Sequence, residues 1–157
     1  MRSETLHAIL PLVIVAGLAF SLFAAAETLD PALRGFCSVS PFFSCAKVDT
    51  SSHTSTLGIP DYLWGIGGFA LMFGLDVQVY RLGRGRWLDA LTALSGLGVL
   101  LSIYFASIEL FLINAFCLVC FASYLCNVGT FVTALLLRRP ASGSGLSARP
   151  TPTADEG

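Results

Sequence analysis

Cysteines are the residues of this 157-residue chain whose type and spacing read most directly as chemistry. Cys117-Leu118-Val119-Cys120 is a C-x-x-C pair at the mouth of a long apolar run. A separation of three on a helix puts both sulfurs on one face, close enough to join as a disulfide and part again. Cys37 and Cys45 stand in a polar loop with seven residues between them, among them Ser40-Pro41 and two phenylalanines. That spacing describes a mobile arm, able to bond to itself, to a partner, or to the helix-mouth pair. Two dithiols, one of them at a lipid boundary, point to electrons passing from thiols into something dissolved in the membrane.

Blander uses of four cysteines have to be weighed. Taken alone, Cys37 and Cys45 read as a static disulfide in an exterior loop. A bridge between near neighbours on one helix closes almost no loop and adds little stability by chain entropy. Redox exchange therefore explains Cys117 and Cys120 better. Zinc would want two close pairs or histidines at ligand spacing. One pair here is wide and only His53 is near, so no metal is assigned. Cys126 reads as a free apolar cysteine.

Asn114 is an N-cap candidate, its side-chain oxygen suited to an orphan amide of the following turn. Cys117 would then occupy about the third helical position, near unpaired N–H groups and the positive end of the helix dipole. Such a place favours the thiolate, the species that attacks a disulfide. Cys120 lies one turn deeper, nearer any lipid-borne acceptor.

The elements that hold these sulfurs follow from composition. The chain is 55% hydrophobic and 12% charged, with mean hydropathy +0.76. That charge fraction is about half the soluble norm. A membrane span needs roughly 20 apolar residues. Residues 8–26, 90–108 and 110–137 are uncharged, and 62–80 is interrupted only by Asp76. The predicted fold is all-α: a polytopic membrane protein with a four-transmembrane-helix bundle and an extracytoplasmic loop/short-helix cap. The spans fall at about 7–26, 61–81, 88–108 and 114–137, with a redox loop at 27–60. Residues 1–137 form one domain, and 138–157 read as a disordered cytoplasmic tail.

Pro11 is tolerable near the start of the first helix, and Gly58-Ile59-Pro60 looks like a stop before the second. Gly65, Gly67, Gly68 and Gly74, then Ser95, Gly96, Gly98 and Ser102, are small residues that let helices approach closely in lipid. Phe36, Phe42 and Phe43 suit the membrane surface.

Arg2, Arg81, Arg84, Arg86, Arg138, Arg139 and Arg149 flank one side of these spans, against Arg34 and Lys47 on the other. The positive-inside rule puts both termini in the cytoplasm and both cysteine pairs outside, where disulfides persist. Ala24-Ala25-Ala26 resembles a signal-peptide cleavage site, but the apolar segment before it is longer than an h-region. No basic patch marks a nucleic-acid partner.

Cys37-x7-Cys45, followed by Val48, Ser51 and Gly58-x-Pro60, together with Cys117-Leu118-Val119-Cys120-x3-Tyr124-x2-Asn127, resembles the vitamin K epoxide reductase family. The similarity covers about residues 7–137. The resemblance implies a four-helix transmembrane bundle around a quinone pocket. Gly58-x-Pro60 looks more like the bacterial and archaeal members, which oxidise thioredoxin-like proteins, than the animal enzymes. Many of those relatives carry a fused thioredoxin-like domain, which this sequence does not contain. The implied partner is a separate thioredoxin-like, DsbA-type protein, and the implied cofactor is a menaquinone, ubiquinone or vitamin K-type quinone from the membrane pool.

By position, the resemblance makes Cys120 the thiol that meets the quinone and Cys117 its resolving partner. Cys45 would exchange with Cys117, and Cys37 with the partner protein. Ser51 and Tyr124 match hydroxyls near the quinone, and Asp61 stands where the animal enzymes place a quinone-contacting asparagine. The implied function is a plasma-membrane, quinone-dependent thiol oxidoreductase that supports disulfide formation. Two alternatives are a vitamin K epoxide or quinone reductase using the same cysteines, and a non-enzymatic membrane protein with structural disulfides.

Overall fold

The computed structural model describes residues 2–30, 32–33, 38, 40, 42–49, 55–56, 58–83 and 85–138. Helix α1 spans Arg2–Leu29 and a one-turn helix α2 spans Cys45–Asp49. A minimal hairpin follows, Ser55–Thr56 (β1) antiparallel to Ile59–Pro60 (β2), with Gly58 at φ 78 in its turn. Then come α3 (Asp61–Leu82), α4 (Gly85–Ile108), a π-helical turn Glu109–Ile113 continuous with α4, and α5 (Leu118–Arg138). Among the described residues four helices are long and apolar enough to cross a membrane: Glu4–Leu29, Asp61–Leu82, Gly85–Ile113 and Leu118–Arg138. The expected all-α bundle is what the chain forms.

The four long helices close into a ring. α1 packs on α3 and α5, and α4 packs on the same two, so α1 and α4 are diagonal. Leu12, Leu100 and Leu125 are more than half exposed on three different helices, an outer surface suited to lipid rather than water. Lipid gives no hydrophobic drive between helices, so packing and interhelical hydrogen bonds must hold them. Small residues supply the packing. A side chain at Gly17 would run into the Phe69 ring, and one at Gly65 would meet Ser21 Oγ at 2.6 Å. Gly96 and Gly98 are pressed by Phe131 and Asn127 in the same way. Gly67, Gly68 and Gly74 have nothing within 4 Å, so close approach is not their role. Gly68 shares the inward face of α3 with Asp61, Gly65 and Met72 and leaves a cavity there.

Pro11 sits well inside α1 rather than near its start. It lacks the N–H that would bond the carbonyl four residues back, which belongs to His7. Tyr80 of α3 donates its hydroxyl to that carbonyl at 2.7 Å, the kind of substitute donor a membrane helix needs.

The fourth long helix starts later than the spacing predicts. Asn114 is not its N-cap. It closes the π turn instead, in the left-handed conformation (φ 53, ψ 43), with its N–H on the Glu109 carbonyl. Asparagine tolerates this region better than most residues. Residues 115–117 then run extended, where Phe116 N–H bonds the Phe42 carbonyl at 2.8 Å and Phe43 bridges to Phe116. Phe43 and Phe116 rings meet at 5.8 Å, so these aromatics clamp the loop onto the helix mouth as well as facing outward. Cys117 takes the capping position the sequence suggested for Asn114.

Candidate functional site

Each sulfur of the site is held by a local device. Ser44 accepts the Lys47 N–H on its hydroxyl at 3.3 Å, the N-cap pattern, and so opens α2 with Cys45 as its first residue. Cys45 is thereby seated in a hydrogen-bonded turn, 1% exposed, rather than on the free arm expected from spacing. Lys47 Nζ reaches the Asn114 carbonyl at 3.2 Å and ties the same turn to the π segment. At the other side, Cys117 Sγ accepts the Cys120 N–H at 3.1 Å, while the Cys117 carbonyl accepts Phe121 N–H at 2.9 Å. The sulfur itself is the N-cap of α5. An amide and the positive helix end therefore bear on this sulfur, although its register differs from the expected one.

Three sulfurs follow one another. Cys45 Sγ is 3.3 Å from Cys117 Sγ, and Cys117 is disulfide-bonded to Cys120 with a Cα separation of 5.2 Å. Cys45 is itself disulfide-bonded. Cys45, Cys117, Val48 and Ala115 form a dry cluster with Cys120 and Tyr124 beside it. Thiol–disulfide exchange needs an attacking sulfur close to the sulfur it attacks, and the Cys45–Cys117 contact supplies that.

Cys120 also faces a cavity of about 290 Å³ lined by all four long helices. That is near the lower end of the usual range for small-molecule sites. Its wall is mostly apolar, with Phe20, Trp64, Met72, Leu97 and Phe105, and it receives few polar groups. Tyr124 and Asp61 are among those groups. Asp61 accepts the N–H of Tyr62 at 2.7 Å where α3 begins. Ser21 and Ser123 meet at 3.2 Å, linking α1 to α5, and Asn127 Nδ2 donates to Ser102 Oγ at 3.3 Å, linking α5 to α4. Asn127 Oδ1 is buried and accepts no hydrogen bond among the described residues. An apolar slot with scattered hydroxyl and amide groups suits a flat ring bearing two oxygens. Cys37 and Ser51 lie outside the described residues.

Sequence reasoning missed Glu109. It stands at the start of the π turn and is 2% exposed, inside the protein. Its Oε1 accepts the Tyr124 hydroxyl at 2.7 Å and its Oε2 accepts the Cys117 N–H at 3.1 Å. One signal could have found it: Glu109 is the sole charged residue between Asp89 and Arg138. A carboxyl isolated in so long an apolar stretch is a functional candidate by default.

The sequence pattern of the family described as vitamin K epoxide reductase matches residues 8–135. The chain is 34% identical over 128 residues to "Vitamin K epoxide reductase complex subunit 1" of Mus musculus, covering 73% of this chain and 80% of that protein. Its identity to the Rattus norvegicus protein of the same description is 33%, with the same coverage of both.

Proposed function

This chain belongs to the vitamin K epoxide reductase family, a family of membrane oxidoreductases, and from that premise we propose that it oxidises protein dithiols and delivers their electrons to a membrane quinone. The carrying observation is the unbroken sulfur series from Cys45 through Cys117 to Cys120, which ends on the cavity wall. A reduced thioredoxin-like protein attacks Cys37 and frees Cys45, and its second thiol then displaces Cys37, so that the partner leaves as a disulfide. The Cys45 thiolate attacks Cys117, breaks the Cys117–Cys120 bond and frees Cys120. Cys37 then closes on Cys45 and leaves a Cys117–Cys120 dithiol. That dithiol loses two electrons to the quinone and returns to the disulfide. Tyr124 lines the cavity as the candidate to bond a quinone oxygen, with Asp61 at the cavity wall and Ser51 as further polar candidates. A fixed donor counts for most where water is excluded.

The orientation reading rests on where the cations fall. Arg81 ends α3, Arg86 lies in the first turn of α4 and Arg138 ends α5, so all three are at the bundle end opposite the sulfurs. Positive-inside asymmetry then favours cytoplasmic termini and an extracytoplasmic redox site in the plasma membrane.

The test is Cys120→Ser in the purified full chain, mapped by mass spectrometry with no reductant added. The Cys117 thiolate, left without Cys120, should displace Cys37 from Cys45, so that a Cys45–Cys117 disulfide accumulates, and quinol formation should stop. Quinone reduction that survives this replacement overturns the scheme. The similarity to the mammalian proteins favours a second reading, reduction of vitamin K epoxide by the same cysteines. Turnover of the epoxide compared with menaquinone and ubiquinone separates the two.

A further inference from the structure

Dithiol oxidation moves protons as well as electrons. Two S–H bonds break as the Cys117–Cys120 bond forms, and two O–H bonds form as quinone becomes quinol. Both ends of this transfer are dry. Cys117 is 1% exposed, Cys120 is 7% exposed, and Cys120 faces a mainly apolar cavity. A proton released at Cys117 therefore needs an internal acceptor on its way to the quinone oxygen.

Glu109 is the carboxyl that joins the Cys117 backbone to a hydroxyl on the cavity wall. One oxygen takes the Cys117 N–H and the other takes the hydroxyl of Tyr124, which lines the cavity. In the disulfide form both oxygens act as acceptors. The charged and titratable groups facing it are accounted for. Asp61 acts on it electrostatically but is held by the Tyr62 N–H. Lys47 spends its ammonium on the Asn114 carbonyl. Glu109 forms no ion pair among the described residues. The π turn adds to the argument, since such insertions recur at functional sites. Here Glu109 opens that turn, immediately before the redox motif.

We propose that Glu109 carries a proton from the Cys117–Cys120 dithiol to Tyr124, which passes one to the quinone oxygen. The inference rests on the reading given under Proposed function and adds to it a residue and a route. In one turnover a thiol proton moves to the Glu109 carboxylate as its S–H bond breaks. The Tyr124 hydroxyl proton forms the first quinol O–H, and Glu109 restores the hydroxyl. The second thiol proton then follows the same route through Glu109 and Tyr124 and completes the second quinol O–H.

The experiment uses the full chain in lipid nanodiscs: wild type, Glu109→Gln, Tyr124→Phe and the double variant. Single-turnover quinol formation from pre-reduced protein is measured with menaquinone. Formation of the Cys45–Cys117 disulfide is measured separately in the Cys37→Ser background, where the Cys45 thiolate attacks the intact Cys117–Cys120 bond. Glu109→Gln should slow quinol formation by roughly 100-fold, the scale of a lost proton-transfer group. The Cys45–Cys117 exchange should stay within about threefold of its parent, because exchange does not use the relay. The double variant should be no slower than the slower single one, as serial steps require. Infrared difference spectra should show a carboxyl band that appears on dithiol reduction, shifts in Tyr124→Phe and is lost in Glu109→Gln.

Unchanged quinol formation in Glu109→Gln overturns the relay. So does an equal loss in both assays, which would make Glu109 only a structural brace. If Glu109→Gln does not accumulate, the wild-type infrared band decides, and its absence overturns the relay. A wild type that forms no quinol removes the underlying function and the relay with it, whereas an active wild type with an indifferent Glu109→Gln removes the relay alone.

Discussion

Tyr80→Phe isolates one hydroxyl. The phenyl ring keeps its edge contact with His7, at 5.8 Å between centroids, so only the 2.7 Å bond to the His7 carbonyl is lost. That carbonyl has no helical donor because Pro11 occupies the donor's position. Buried in lipid, an orphaned carbonyl would cost several kcal/mol. Tyr80 is 57% exposed, however, so water or headgroups can partly replace the hydroxyl. Interhelical hydrogen bonds in membranes average about 0.6 kcal/mol and rarely exceed about 1.7. A cost of about 1 kcal/mol follows, a shift of about fivefold in the folding equilibrium. The decisive comparison is the same substitution in a Pro11→Ala background. Alanine restores the helical N–H, the His7 carbonyl regains its own donor, and the Tyr80 hydroxyl becomes redundant. The assay is reversible denaturation of detergent-solubilised protein, followed by helical signal, for all four members of the cycle. Tyr80→Phe should cost about 1 kcal/mol with Pro11 present and nearly nothing in the Pro11→Ala background. Equal costs in both backgrounds, within about 0.3 kcal/mol, refute the idea that Tyr80 substitutes for the missing amide.

Other outcomes are expected at the redox end. Asn114→Val forces a β-branched residue into the left-handed region and should destabilise by about 1–2 kcal/mol, whereas Asn114→Gly should be well tolerated; thermal unfolding of the pair checks this. Ser44→Ala removes the cap that seats Cys45 and should cost about 1 kcal/mol locally. Stopped-flow alkylation should then show the Cys45 turn opening more often, with slower exchange onto Cys117. Gly68→Leu fills cavity space that nothing else occupies. Quinone reduction should fall at least about tenfold, or about 1.4 kcal/mol. Cys45–Cys117 exchange should remain normal, and an undiminished quinone rate would show that the ring binds elsewhere.

What the sequence alone determined was set by local chemistry. Uninterrupted apolar runs can satisfy their backbone in lipid only as helices, so four spans were legible by counting. The C-x-x-C spacing places two sulfurs within reach of each other whatever surrounds them. Register was not legible. The helix period of 3.6 residues foresees neither a π turn at Glu109–Ile113 nor its closure by Asn114 in the left-handed region, so Cys117 was put inside a helix that it in fact caps. Likewise Gly67 and Gly68 carry the same symbol as Gly65, yet only the position of α1 decides that Gly65 meets Ser21 while the other two meet nothing. Contacts between residues distant in sequence belong to tertiary structure alone. Cys45 lies 72 residues from Cys117, and the Glu109 carboxyl reaches Tyr124 only because the π turn aims it back at α5. Spacing sets what one helix can present; the packing of four helices and a loop decides what it meets.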